Sequence, residues 1–325
     1  MSFRTFLRLS AHIQMLPVLE SGEETLIGGQ AVIEGVMMRS PHAYSVAVRR
    51  PDGQIVVEEN PLPRVSERYP IFKLPVLRGL GTLGQAMWLG LRAMRFSASQ
   101  AMTEEDAKAS ASPVSSGTMY LSIAFSLVSF LFLFKFVPLA LATWVGHVYQ
   151  PLHGRLAVNL VDGVIRIALF LSYLYVLSRF KDIARVFEYH GAEHKVVFNF
   201  ESGQPLTVEN AQQFETWHPR CGTSFLLVVM VVAMIFYAFL PIDNFALKLV
   251  ARIAMLPLVT GVSYEMIRFA AKRRGGLMAA LTAPGLWLQR ITTKPPADAQ
   301  AEVAIHALQR AMTLEQVHGG ELVVA

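Results

Sequence analysis

The chain has 325 residues, of which 53% are hydrophobic and only 16% charged, with a formal net charge of +5. A soluble domain carries about 25% charged residues, so this composition excludes an ordinary water-soluble protein and points to one held in a lipid bilayer. The basic residues sit beside apolar runs rather than in an aromatic-interleaved stripe, which excludes a nucleic-acid partner.

Residues Met1–Val18, with Arg4 and Arg8, have no long apolar core or small-residue cleavage site and read as a short amphipathic lead-in. Ile27–Pro41 has a β-branched centre between glycines, which predicts a short strand. Glu34 lies inside that apolar run and needs a cation, a metal or solvent. Ser45–Arg49, the turn Pro51-Asp52-Gly53 and Gln54–Glu58 predict a hairpin. Residues 1–76 therefore form an N-terminal β-containing region that ends in the proline-punctuated segment Pro61–Pro75.

Leu77, Leu80, Leu83, Met87, Leu91 and Met94 recur at helical spacing between Arg78, Arg92 and Arg95, the pattern of a basic amphipathic helix. With a linker from Ala98 to Ser116 it fills residues 77–118. Residues 119–178 hold a first transmembrane pair, Met119–Ala142 and Leu156–Leu177. Lys135 in the first is expected to face other protein, and Asp162 and Arg166 in the second to neutralise each other one turn apart. Residues 179–222 form an insert, and 223–271 a second pair built from Gly222–Leu240 and Phe245–Phe269. Residues 272–325 hold the basic cluster Lys272-Arg273-Arg274, an interfacial amphipathic helix over Gly275–Trp287 and a closing helix over Asp298–Met312. The expected architecture is thus a mainly α integral membrane protein. It has about four transmembrane helices, amphipathic interfacial helices and a small N-terminal antiparallel β element. Arg179, Lys181, Arg185, Lys195 and Arg220 in the insert place it and both termini on the cytoplasmic side.

The insert carries the chemistry. His190 and His194 are four residues apart, on one helix face, and Glu193 precedes the second. This H-x-x-E-H order inverts the metalloprotease H-E-x-x-H. Two imidazoles at that spacing suit a zinc-like divalent ion, and the carboxylate can take a proton from water made acidic by the ion. His218 and Cys221 follow around Pro219, and a borderline-soft metal accepts both side chains. The expected metal ligands are His190, His194, His218 and Cys221, with Glu193 as the catalytic base; Glu34, Glu209 and Glu215 are candidate further carboxylates. Solvated histidines on a polar helix face, and Cys221 as a small buried hydrophobe, are the alternatives. Cys221 is the only cysteine, which excludes a disulfide framework and fits a reducing compartment. Three protein ligands leave a position for water, as a hydrolase needs, whereas four close the site into a structural one. A metal-stabilised scaffold is the main alternative function. A transporter using Lys135, Asp162 and Arg166 is a third.

Three blocks, Gly28–Arg39, Glu188–Lys195 and His218–Thr223, resemble the YqhQ-like family of bacterial membrane proteins. Pro284-Gly285-Leu286, Leu288-Gln289 and Ile291-Thr292-Thr293 extend the likeness over nearly the whole chain. The resemblance implies a multi-pass protein of the bacterial inner membrane and the label of a metal-dependent enzyme. It carries no substrate; a membrane protein or a peptide is the expectation that the motif adds.

Overall fold

Short apolar runs broken by turn residues fill residues 27–61, and in the computed structural model that stretch forms a sheet of four antiparallel strands. The strands β1 (Gly28–Val32), β2 (Gly35–Arg39), β3 (Ala43–Arg49) and β4 (Ile55–Pro61) follow one another in space as in sequence. The structure describes residues 27–63, 65–102, 116–218, 221–272 and 276–318. The Met1–Val18 lead-in, most of the Ala98–Ser116 linker and Arg273-Arg274 lie outside them.

The single strand expected over Ile27–Pro41 is two strands. They are joined by the two-residue turn Ile33-Glu34, with Val32 opposite Gly35. Glu34 has φ 52°, a conformation that glycine or asparagine usually supplies. Because side chains alternate across a strand, Val36, Met38 and Ala47 face one side, and Met37, Val46 and Val48 the other. The second side packs on helix α1 (Leu77–Ala101) through Leu89 and Ala93.

The apolar part follows. Helix α2 (Ser116–Leu131) runs through a π-helical turn, Phe132–Phe136, into α3 (Val137–Val148), and α4 (Arg155–Leu177) returns beside it. Then come α5 (Lys181–Glu201), the short α6 (Val208–Gln212) and α7 (Gly222–Ala238). The chain ends with α8 (Phe245–Ala254), α9 (Leu256–Lys272), α10 (Gly276–Thr292) and α11 (Asp298–His318). Two stretches, Ala124–Val148 and Arg155–Leu177, are long and apolar enough to cross a membrane. Their outer faces expose Phe125, Val128, Phe132, Trp144 and Val164.

The expected span Phe245–Phe269 is two helices bent by 47°, which together count as a third candidate. Pro257, at the second position of α9, supplies no N–H to an unbroken ladder and marks the break. The helix α7 is apolar but only 17 residues long.

Two C-terminal helices run past their expected ends. Helix α10 continues to Thr292 and buries Leu286, Leu288, Gln289 and Thr292. Helix α11 continues to His318 and covers the first face of the sheet. Its Ala301, Ala304, Ala307 and Ala311 are fully buried, so small side chains let the helix lie close to the strands. Between α11 and β1 runs α5, whose Tyr189, Ala192, Val196 and Val197 complete that core. The sheet, α5 and α11 together are the frame on which the H-x-x-E-H motif is mounted.

Candidate metal centre

Helix α5 starts with Asp182 in its first turn, where a carboxylate suits the positive helix end. Mid-helix Gly191 costs about 1 kcal/mol relative to alanine. Here it is needed, since a Cβ at Gly191 would stand 2.0 Å from the Lys294 carbonyl oxygen. That approach brings the segment after α10 against α5, and the Lys294 N–H donates to the Phe187 carbonyl at 2.9 Å.

The segment holds the first imidazole. His190 Nδ1 lies 2.8 Å from the Thr292 carbonyl, and His194 Nδ1 lies 2.5 Å from the Thr216 carbonyl. A carbonyl can only accept, so in each ring Nδ1 bears the hydrogen and Nε2 keeps a lone pair. The rings are 4.5 Å apart, and Cys221 Sγ is 3.3 Å from His190 Nε2. The ligand atoms of His190, His194 and Cys221 all lie within 4.8 Å of one another. Ligands around a tetrahedral zinc, at about 2.0–2.3 Å from the ion, stand roughly 3.4–3.8 Å apart, so a small contraction suffices.

Glu193 completes the arrangement from across the helix face. Its Oε2 is 3.9 Å from both His190 Nε2 and His194 Nε2. Strand β1 seals it in: the Gly29 N–H donates to the carboxylate, and a Cβ on Gly29 would meet Glu193 Cγ at 2.6 Å. Burial pushes the Glu193 carboxyl above its usual range, with His190, His218 and Gly29 pulling the other way. Burial likewise holds His194 below the ordinary imidazole value, opposed by Cys221. That favours the neutral His194 ring, the form metal ligation requires.

His218 stands one ring further out. Its ring lies 5.7 Å from that of His194 and 4.5 Å from Phe198, and its Nε2 is 3.5 Å from Glu201 Oε2. Burial pushes its pKa down to about 4, against an upward pull from Glu193. The structure thus brings together His190, His194, Cys221 and Glu193, with His218 behind His194. Of the extra carboxylates, Glu34 is engaged elsewhere, by Arg185 and by the Tyr189 hydroxyl at 3.2 Å.

Several residues that position the centre escape a reading by motif. Gln289 grips the backbone of His218 on both sides: its Oε1 accepts from the N–H and its Nε2 donates to the C=O, each at 2.7 Å. It also donates to Ser224 Oγ at 3.1 Å. Lys195 Nζ donates to the Gln212 and Phe214 carbonyls, fixing the segment that presents the Thr216 carbonyl. The fully buried amide of Gln289 in an apolar helix is the signal that could have marked it.

Residues 74–314, which include His190, Glu193, His194, His218 and Cys221, match the family described as "Protein of unknown function (DUF1385)". The chain belongs to the DUF1385 family. It is 38% identical over 298 residues to "Uncharacterized protein YqhQ" of Bacillus subtilis (strain 168), covering 89% of this chain and 92% of that protein. No solved structure matches it. The DUF1385 match begins after the sheet, so the ligand candidates fall inside it while the Gly29 seal lies outside.

Proposed function

We propose that this DUF1385 protein is a metal-dependent hydrolase embedded in the bacterial inner membrane, with its site at the cytoplasmic face. His190, His194 and Cys221 hold one zinc-like divalent ion, and Glu193 is the general base. The observation that carries this reading is the pair of Nδ1–carbonyl contacts, which aim two Nε2 lone pairs at a thiol with a carboxylate equidistant from both. Bound there, the ion supplies Lewis acidity and lowers the pKa of water. Glu193 would accept a proton from the attacking water. A protein or peptide chain is the proposed substrate class, by analogy with inverted-motif peptidases.

The membrane part of the proposal counts α7 and the bent α8–α9 pair as third and fourth spans, with both termini cytoplasmic. Glu209 and Asp243 are both exposed. Cysteines placed at these positions in a Cys221→Ser background should therefore label from opposite sides of the membrane. Labelling of both from outside refutes the topology.

Elemental analysis of the purified chain should find one divalent ion per molecule, absent from His190→Ala/His194→Ala. Equal metal content in the two refutes the centre. The burial of Glu193, 7% exposed, and of His194, 2% exposed, favours one other reading, a closed structural site in a scaffold. Glu193→Gln separates the two. Retention of metal with loss of complementation in a deletion strain supports catalysis, and full complementation favours the scaffold.

A further inference from the structure

A second buried polar cluster lies among the apolar helices, and the metal centre uses none of it. Lys135 of the π-helical turn, Asp162 and Arg166 of α4, Tyr237 of α7 and Arg252 of α8 meet there. Asp162 and Arg252 are fully buried, Arg166 is 3% exposed and Lys135 8%. One carboxylate serves three cations. Arg166 Nη2 is 2.5 Å from Asp162 Oδ2, and Arg252 Nη1 is 3.1 Å from Oδ1. Arg252 also donates to Asn159 Oδ1, and Lys135 Nζ donates to the Tyr237 hydroxyl at 3.3 Å. Glu265 of α9 is committed to Arg78, and Asp243, just before α8, to Arg155.

The Tyr237 ring is shared by all three cations, with Lys135, Arg166 and Arg252 at 5.4, 5.3 and 4.9 Å from its centroid. A cation–π contact supplies about 0.5–2 kcal/mol. Burying an ion costs several kcal/mol, so one ring cannot compensate two uncancelled charges. The donor count points the same way: Arg166 Nε and Nη1 and Arg252 Nε are buried without a hydrogen-bond partner, against a single such acceptor in the cluster, Asp162 Oδ1. A π-helical turn, a deformation that recurs at functional sites, carries Lys135 into the cluster.

We infer that this cluster binds a small inorganic anion of the chloride class, held by the free donors of Arg166 and Arg252 with Lys135 nearby. The ion supplies the missing negative charge. Arg166 stands eleven residues into the 23-residue α4, about 16 Å from the helix start, which is too deep for a lipid phosphate to reach. The cluster shares no residue with the metal centre, so the inference holds apart from it.

The test is equilibrium binding of radiolabelled chloride to the detergent-purified full chain, with metal content measured on the same samples. One saturable site per chain is expected, competed by bromide and not by gluconate. Arg166→Gln should weaken it about tenfold, the loss of one charge-assisted contact, while its metal content stays at the wild-type level. Asp162→Asn removes the resident negative charge and should bind chloride at least as tightly. Absence of saturable chloride binding to the wild-type chain overturns the inference regardless of how the variants fold. Displacement of chloride by anionic phospholipid but not by bromide overturns it too, by making the site one for a lipid phosphate.

Discussion

Around His190 the groups turned towards the centre are acceptors: two imidazole lone pairs, a sulfur and a carboxylate. Around Tyr237 they are donors: two guanidinium groups and an ammonium. The first is part-buried, with His190 and Cys221 its more open members, and the second is buried. The first draws its backing from backbone carbonyls at Thr216 and Thr292, which hold hydrogens on the far side of each ring. The second draws its backing from one aspartate and one aromatic ring. Backbone support fixes direction and leaves an electron-rich centre that suits a cation. Side-chain support from a single carboxylate leaves positive charge over, which suits an anion.

The largest expected effect comes from removing that carboxylate. Asp162→Asn leaves three buried cations without a counter-charge, and stripping one partner from a buried pair costs about 3–5 kcal/mol. Thermal unfolding of the detergent-purified protein in gluconate should show a drop of that size, partly restored by chloride. A transition temperature equal to that of the wild type in gluconate would break the comparison.

Next is the glycine that lets the other cluster form. Gly191→Ala puts a Cβ 2.0 Å from the Lys294 oxygen, which is backbone and cannot swing aside. Overpacking of this kind costs about 1–3 kcal/mol. Displacing the segment also withdraws the Thr292 carbonyl from His190, so metal affinity should fall along with stability. Titration with a chelator reads the first and thermal unfolding the second. Unchanged metal affinity would show that the carbonyl does not orient the ring.

Parts of this were open to reading in the sequence and parts were not, for physical reasons. His190, Glu193 and His194 are neighbours on one helix, so spacing alone puts them together, and Cys221 was added by its chemistry. The carbonyls of Thr216 and Thr292 left no trace, because every residue supplies a carbonyl. The pairing of Asp162 with Arg166 is one helical turn long and was legible; Arg252, ninety positions from Asp162, was not. In the fold, the turn Pro51-Asp52-Gly53 between two β-branched runs marked β3 and β4. The β1–β2 turn was hidden because Glu34 occupies a position where glycine or asparagine is the usual marker. The helix α11 was expected, but not as the cover of the sheet, since its alanines announce close packing only once the strands are known.

A third buried charge calibrates the first two. Glu315 of α11 is 3% exposed, and its carboxylate accepts from Ser40 Oγ at 2.6 Å and from the His42 N–H at 2.7 Å, with His42 Nδ1 at 2.8 Å from its other oxygen. Burial pushes this carboxyl upward, but those partners together outweigh it and hold it below its ordinary value of 4.5. A depressed folded-state pKa means that the unfolded chain binds more protons in that range. The contribution to stability is therefore present above the ordinary carboxylate value and is lost as the pH falls through the folded one. Glu315→Gln should cost about 1.5–3 kcal/mol at neutral pH, the worth of hydrogen bonds to a charged group, and less as the pH drops below 4.5. A variant whose deficit is the same at both ends would mean that shape rather than charge docks α11.

The smallest effect is expected where charge meets solvent. Arg185 donates to both carboxylate oxygens of Glu34, and the Tyr189 hydroxyl adds a contact at 3.2 Å. The Arg185 side chain is 52% exposed, so water and salt screen the pair. Exposed ion pairs contribute about 0–1 kcal/mol. Arg185→Gln should therefore shift unfolding by less than about 1 kcal/mol, and high salt should erase the difference. The pair links the β1–β2 turn to α5 one turn before His190, so it also tests how firmly the sheet must grip the helix. If Arg185→Gln leaves stability alone yet lowers metal affinity, the turn helps to hold the centre closed through Gly29 and Glu193. If both stay at wild-type values, the backbone contacts at Thr216 and Thr292 suffice, and the contrast between backbone-held and side-chain-held clusters stands in its strongest form.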